Sequence, residues 1–202
     1  MGRILKITAQ KRHSNRFNVF LDNDERISVT DDLILDFSLS SNMELDDDTL
    51  ESLRKAADFA FTREKALELL SLRDHAAGEL RTKLFQKGYQ KDAIAAAITY
   101  LQEKNYLNDA RFAKLYTKEL IERKQLGPAK IREKLYQRGL HSDLINENLQ
   151  YYDDETQIDN CRFHILKKYK TVVFDSREEK AKVIRYLQGK GFTWSTISLV
   201  IQ

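Results

Sequence analysis

The sequence predicts a mainly α protein: three tandem three-helix repeats forming a curved array, preceded by a small N-terminal β-hairpin unit. Three observations predict it. Apolar residues recur with helical period from Asp48 almost to the C-terminus. A self-similar pattern of roughly 50 residues recurs around Gly88, Gly139 and Gly191. Residues 17–29 alternate between apolar and polar around a turn. The expected divisions are 1–47 for the β unit and 48–105, 106–150 and 151–202 for the repeats.

The β unit comes first. Phe17, Val19 and Leu21 alternate with polar residues, as do Ile27 and Val29, and Asp22-Asn23-Asp24-Glu25 between them supplies turn chemistry. Ile4–Ala9 reads as a further strand. A hairpin of this size is marginal alone, so it should lean on the helices. An acidic stretch follows, and Asp48-Thr49-Leu50-Glu51 has the spacing of a capping box that starts a helix.

In the repeats, Leu80, Ile131 and Val183 stand eight residues before the aligned glycines, and Leu84, Leu135 and Leu187 four before. Tyr89, Leu140 and Phe192 follow each glycine directly; Ile94, Ile145 and Ile197 lie six on, and Ile98, Leu149 and Ile201 ten on. Spacings of four place these side chains on one helical face before the glycine and again after it. The glycine falls where the first helix must end, and a residue without Cβ adopts the left-handed cap at least cost. Ten residues before it the chain is small each time, with Gly78, Ala129 and Ala181. Ser142 and Thr193 are suited to cap the helices that follow. A further helix precedes each pair: Asp48 to about Leu72, Asn108 to about Lys124, and Thr156 to about Lys170.

Composition supports a folded, heavily solvated protein, with 42% hydrophobic and 32% charged residues, one proline and seven glycines. No apolar run approaches the roughly 20 residues that span a bilayer, and MGRILKITAQKR lacks the apolar centre of a secretory signal. Met1-Gly2 opens like a myristoylation site, but Lys6 stands where that motif requires Ser or Thr. The single cysteine, Cys161, has no internal disulfide partner, which suits a reducing, cytoplasmic setting. The net charge of +3 hides an asymmetry: −4 over residues 1–60 (8 basic, 12 acidic), +5 over 61–150 (17 basic, 12 acidic) and +2 over 151–202 (9 basic, 7 acidic). A basic body favours anionic partners, nucleic acid above all.

Signatures of catalysis are absent: no phosphate-binding glycine loop, nucleophile elbow, or paired Cys or His-Glu-x-x-His metal spacing. The chain is expected to be no enzyme and to need no cofactor or metal. His13, His75, His141 and His164 are scattered and read as surface residues, and Cys161 as a small buried hydrophobe. Asp153-Asp154-Glu155 reads as an acidic junction or helix start.

Basic residues repeat with the scaffold. Lys87, Arg138 and Lys190 precede the glycines, where a cation also complements a helix C-terminus. Arg81 and Arg132 match, as do Lys83 and Lys134, but Ile184 and Tyr186 take those places in the third repeat. Lys130, Arg132, Lys134 and Arg138 decorate one short helix opened by Gly127-Pro128, with Arg123 and Lys124 just before it. The candidate binding residues are therefore Arg81, Lys83, Lys87, Arg123, Lys124, Lys130, Arg132, Lys134 and Arg138. Tyr89, Phe112, Tyr116 and Phe192 fall on apolar stripes and read as core. Any nucleic-acid contact should then be directed at the backbone.

The stretches AxxLLSLRxxxxxEL (Ala66–Leu80), YLNDARFA (Tyr106–Ala113) and LGPAKIREKLYQRGL (Leu126–Leu140) resemble the RecX family of bacterial recombination regulators. ITAQKRHSNRFNVFLD (Ile7–Asp22) is similar to the N-terminal segment of the longer, Gram-positive-type members. The sequence departs from the family at Asp74-His75, where Arg-Ser is common. Longer relatives continue with further repeats, so the resemblance leaves room for more chain beyond Ile201-Gln202. It implies a monomer that binds RecA and the groove of RecA–DNA filaments. There it would inhibit ATP hydrolysis and strand exchange in recombination, DNA repair and the SOS response, touching the DNA backbone weakly. It implies no membrane and no small-molecule substrate. The alternative class is a helical-repeat protein that binds nucleic-acid backbone without RecA.

Overall fold

The computed structural model describes residues 1–11 and 13–201, without the side chains of His13 and Ser14, so the expectation for His13, like Gln202, lies outside it. The chain divides into two compact units: Met1–Arg73 with Arg81–Tyr106, and Asp74–Leu80 with Leu107–Gln202. Among the described residues, no helix is long and apolar enough to cross a membrane.

The first unit opens with β1 (Gly2–Gln10), β2 (His13–Leu21), β3 (Arg26–Thr30), the helix α1 (Asp31–Asp36) and β4 (Glu44–Leu45). The expected hairpin is β2–β3, and both outer neighbours add to it in an antiparallel sheet of order β3-β2-β1-β4. Alternation turns Ile4, Val19, Leu21, Ile27 and Val29 to one face, where they meet Leu33, Leu39, Leu45, Leu50, Leu53, Ala57 and Ala60 in one core. The sheet thus leans on α2 (Asp47–Leu72), as its small size requires. The expected capping box at Asp48 is corrected: Asp46 is the cap, its carboxylate accepting from the Thr49 amide at 2.6 Å. Leu45 still pairs with Gly2 in the sheet, so Asp46 is the first residue free to turn. The unit is completed by most of α3 (Ala77–Gln86) and by α4 (Lys91–Glu103), which packs along α2.

The second unit contains α5 (Asp109–Glu122), α6 (Pro128–Gln137), α7 (Ser142–Leu149), α8 (Asp154–Tyr169), α9 (Arg177–Gly189) and α10 (Trp194–Ser198), together with the first turn of α3. Two cores run through it. Ala113, Leu120, Ile131, Leu135, Leu140 and Ile145 gather in one, and Cys161, Ile165, Phe174, Val183, Leu187, Phe192 and Ile197 in the other. Among the apolar repeat positions found by spacing, Tyr89, Leu149 and Ile201 are half-buried and the others are buried. Of the aromatics read as core, Phe192 is buried while Tyr89, Phe112 and Tyr116 are half-buried. Burial pushes the Cys161 thiol up to about 12, which keeps it a protonated apolar group.

Local chemistry sets the helix ends. Asn108, Asp153, Ser176 and Thr193 cap α5, α8, α9 and α10 through their side chains, and Pro128 occupies the first turn of α6. Ser142 does not cap α7. His141 takes that place without a side-chain bond, and Ser142 is already the first helical residue. Gly88, Gly139 and Gly191 end their helices at φ of 88°, 76° and 93°, the left-handed conformation their place demanded.

Candidate functional site

Two of those glycines do more than end a helix. A Cβ on Gly139 would lie 2.7 Å from Gly78 Cα, and one on Gly191 would lie 2.5 Å from Lys130 Cβ and 2.8 Å from the Gly127 carbonyl. The backbones therefore touch where the glycine loop of one repeat meets the first turn of α3 or α6. At the second contact the Gly127 amide donates to Lys190 O at 2.9 Å and the Ala129 amide to Gly191 O at 3.1 Å. These two contacts are joints between successive three-helix elements within the second unit.

The first joint is electrically closed. Arg138 donates to Glu79 at 2.9 Å and lies 5.2 Å from the Tyr116 ring, while Asp109 accepts from the Ala77 amide at 2.7 Å. Burial works against the charge of the Arg138 guanidinium, but hydrogen bonds to Tyr116 and Glu79 together with their charges outweigh it and raise the group above its ordinary value. Arg138 was a candidate for binding an external anion; here it braces the joint.

The second joint is held by buried polar groups instead. Tyr152 donates its hydroxyl to Leu126 O at 3.0 Å; Asn160 donates to that hydroxyl at 2.8 Å and to Ile121 O at 3.1 Å. Nε2 of His164 bonds Gln125 O at 2.8 Å. Asn160 and His164, one turn apart on α8, thus satisfy carbonyls released where α5 ends. His164 and His75 are buried, which corrects their reading as surface residues; His141 is exposed. For His164 the reason is visible: the turn between α5 and α6 needs a donor that apolar neighbours cannot supply.

Burial first, then the charges of Lys190 and Lys167, push the His164 imidazole below its usual range, against the hydrogen bond to Gln125. The folded state therefore prefers neutral His164. Its contribution to stability is present above the ordinary histidine value near 6.5 and declines as pH falls below it toward the depressed folded value. Urea midpoints should fall with pH across that window in the native sequence and fall less in His164→Gln, which keeps a donor but no titrating ring. Parallel pH profiles would refute this assignment.

The candidate cations separate into distinct settings. On α3, Arg81 is exposed and Lys83 half-buried, and Lys87 is exposed in the turn just after it, all in the first unit. On α6, Lys130 and Lys134 lie one turn apart on one edge, whereas Arg132 lies on the other flank and bonds Asn146 of α7. Lys130 also pairs with Glu133 at 2.7 Å. Arg123 and Lys124 are exposed on the turn that bears Gln125. The six on the second unit do not form a single face.

Lysines outside that set gather at the second joint. Lys190, whose carbonyl bonds Gly127, lies 5.5 Å from the Tyr186 ring, and Lys168 lies 3.9 Å from the same ring. Lys167 lies 5.3 Å from the Phe163 ring and acts electrostatically on His164. Lys130 packs against Gly191 and Lys124 adjoins the His164 bond. Lys167 and Lys168 were missed because the repeats were matched only within ten residues of each glycine, and these stand 24 and 23 residues before Gly191. A sequence signal did exist: nine residues before the glycine, Glu79 of the first repeat aligns with Lys130 of the second.

A chain of three-helix elements with an N-terminal sheet, packed backbone against backbone at the joints between elements, defines a helical-repeat protein. Comparison with known proteins gives the family. Residues 2–46 match the regulatory protein RecX N-terminal domain, and residues 63–101, 108–149 and 155–201 match the first, second and third RecX three-helix domains. The regulatory proteins RecX of Clostridium acetobutylicum and Clostridium beijerinckii are 30% and 31% identical over 98% and 100% of this chain, and 94% and 95% of theirs. The chain belongs to the RecX family. A crystal structure of regulatory protein RecX shares the fold with a TM-score of 0.72 at 24% identity, over 99% of this chain and 98% of that one. That of RecX from Lactobacillus salivarius gives 0.63 at 23% identity, over 72% and 95%.

Proposed function

We propose that this protein modulates RecA, binding it and the groove of RecA–DNA filaments so as to restrain ATP hydrolysis and strand exchange during recombination and repair in the cytoplasm. The observation that carries the reading is the family match in all four segments, from the N-terminal sheet through each three-helix element. The domain division 1–47, 48–105, 106–150 and 151–202 belongs to the same proposal, as does action as a monomer without catalysis. Arg81, Lys83 and Lys87, with Arg123, Lys124, Lys130, Arg132 and Lys134, are proposed to meet RecA or DNA phosphate, while Arg138 is spent on Glu79. Binding of this kind acts by unequal affinity for assembled and disassembled filaments.

The test is RecA's DNA-dependent ATPase with and without the protein, beside direct binding to naked single strands. Inhibition is expected at concentrations well below those that saturate DNA alone. Inhibition that only tracks DNA occupancy would instead support the second reading, a backbone-binding repeat protein independent of RecA, which the lysines of the second joint favour.

A further inference from the structure

The two joints share backbone geometry but not charge. In the first, Arg138, immediately before Gly139, is neutralised by Glu79 at 2.9 Å. In the second, the aligned positions are Lys190, immediately before Gly191, and Lys130, which packs against Gly191. An opposed pair has become a like-charged pair. Lys167 and Lys168 from α8 and Lys124 from the preceding turn add to it, and among the described residues none of Lys124, Lys167, Lys168 and Lys190 makes an ion pair. Lys130 alone has a carboxylate, Glu133 on its own helix. Such a set repels itself unless an anion joins it.

We propose that the second joint binds the phosphate backbone of single-stranded polynucleotide, with Lys124, Lys130, Lys167, Lys168 and Lys190 as its phosphate contacts and Trp194 as a stacking surface. Ammonium groups are point charges that accept phosphate in varied directions and read no base, which suits a continuous backbone. Trp194 is 59% exposed and opens α10 two residues after Phe192, whose backbone lies against Gly127. An exposed indole four residues after Lys190 in sequence favours unpaired bases over a stacked duplex. This deepens the proposed function by naming where a strand would lie. Its test omits RecA, so the two can fail separately.

The experiment titrates a labelled oligothymidylate with the full chain and follows fluorescence anisotropy at several salt concentrations. Lys130→Glu installs at the second joint the acid that the first carries in Glu79, so the fold should tolerate it. It is expected to weaken binding about tenfold and lower the slope of log affinity against log salt by about 0.7, one single-strand phosphate contact. Lys167→Ala, on a different helix, should lower the slope by about the same amount. Lys91→Glu, in the first unit at the start of α4, should change neither, and native-like circular dichroism verifies folding of each variant. Trp194 fluorescence should be quenched on binding. Equal affinities for Lys130→Glu, Lys91→Glu and the native sequence would overturn the proposal. So would a Lys130→Glu protein that keeps strand binding but loses its effect on RecA, since the joint would then meet protein.

Discussion

Gly191→Ala is expected to destabilise the second unit by about 4 kcal/mol, whereas Gly88→Ala should cost only about 1–2 kcal/mol. Both residues have positive φ, 93° and 88°, so both variants pay the left-handed cost of a Cβ. Their surroundings differ. Nothing lies within 4 Å of a Cβ on Gly88, while one on Gly191 would overlap Lys130 and the Gly127 carbonyl. Relief requires the joint to open, and opening breaks the bonds from the Gly127 and Ala129 amides to Lys190 and Gly191, about 1 kcal/mol each. Gly139→Ala should fall with Gly191→Ala, because its Cβ would sit 2.7 Å from Gly78 Cα. Urea unfolding followed by Trp194, the sole tryptophan, reads the second unit, and far-ultraviolet circular dichroism reads both. Three equal losses would show that the joints yield freely and are no close-packed contacts.

Tyr152→Phe and Asn160→Leu should each cost about 2 kcal/mol, and the double variant about 1 kcal/mol less than their sum. Tyr152 is buried, and burial pushes its hydroxyl up to about 12, so it remains a neutral donor to Leu126 O and acceptor from Asn160. Removing the hydroxyl orphans the Leu126 carbonyl and takes one acceptor from Asn160. Removing Asn160 orphans Ile121 O and takes a donor from Tyr152. Their shared bond is counted in both single variants but lost only once in the double, which gives the coupling. Strict additivity in a double-mutant cycle would mean that the two side chains act apart.

Much of this was legible because it is local. The apolar positions around the three glycines are set by helical period, and all are buried except Tyr89, Leu149 and Ile201, which are half-buried. Thr193 caps its helix as expected, and Asn108 and Asp153 cap theirs by the same rule, each binding an amide three residues on. Local rules were weaker where neighbours are alike. Asp46, Asp47 and Asp48 are equivalent as caps, and the choice of Asp46 came from Leu45 still pairing with Gly2, 43 residues away. The histidines failed for a related reason: nothing near His164 in sequence announces the unsatisfied Gln125 carbonyl 39 residues earlier.

Charge shows the division most sharply. Sequence could count lysines and arginines and align them by repeat, because identity and spacing are covalent facts. It could not say that Arg138 is spent on Glu79, 59 residues away, or that Arg132 turns aside to Asn146. Nor could it bring Lys130 of α6, Lys167 and Lys168 of α8, and Lys190 at the end of α9 to one joint. Helical period and capping act within a few residues, so the repeat scaffold follows from the order of amino acids. Neutralisation and convergence of charge depend on distances across packed elements, so the tertiary structure alone decided which cations remain for a partner.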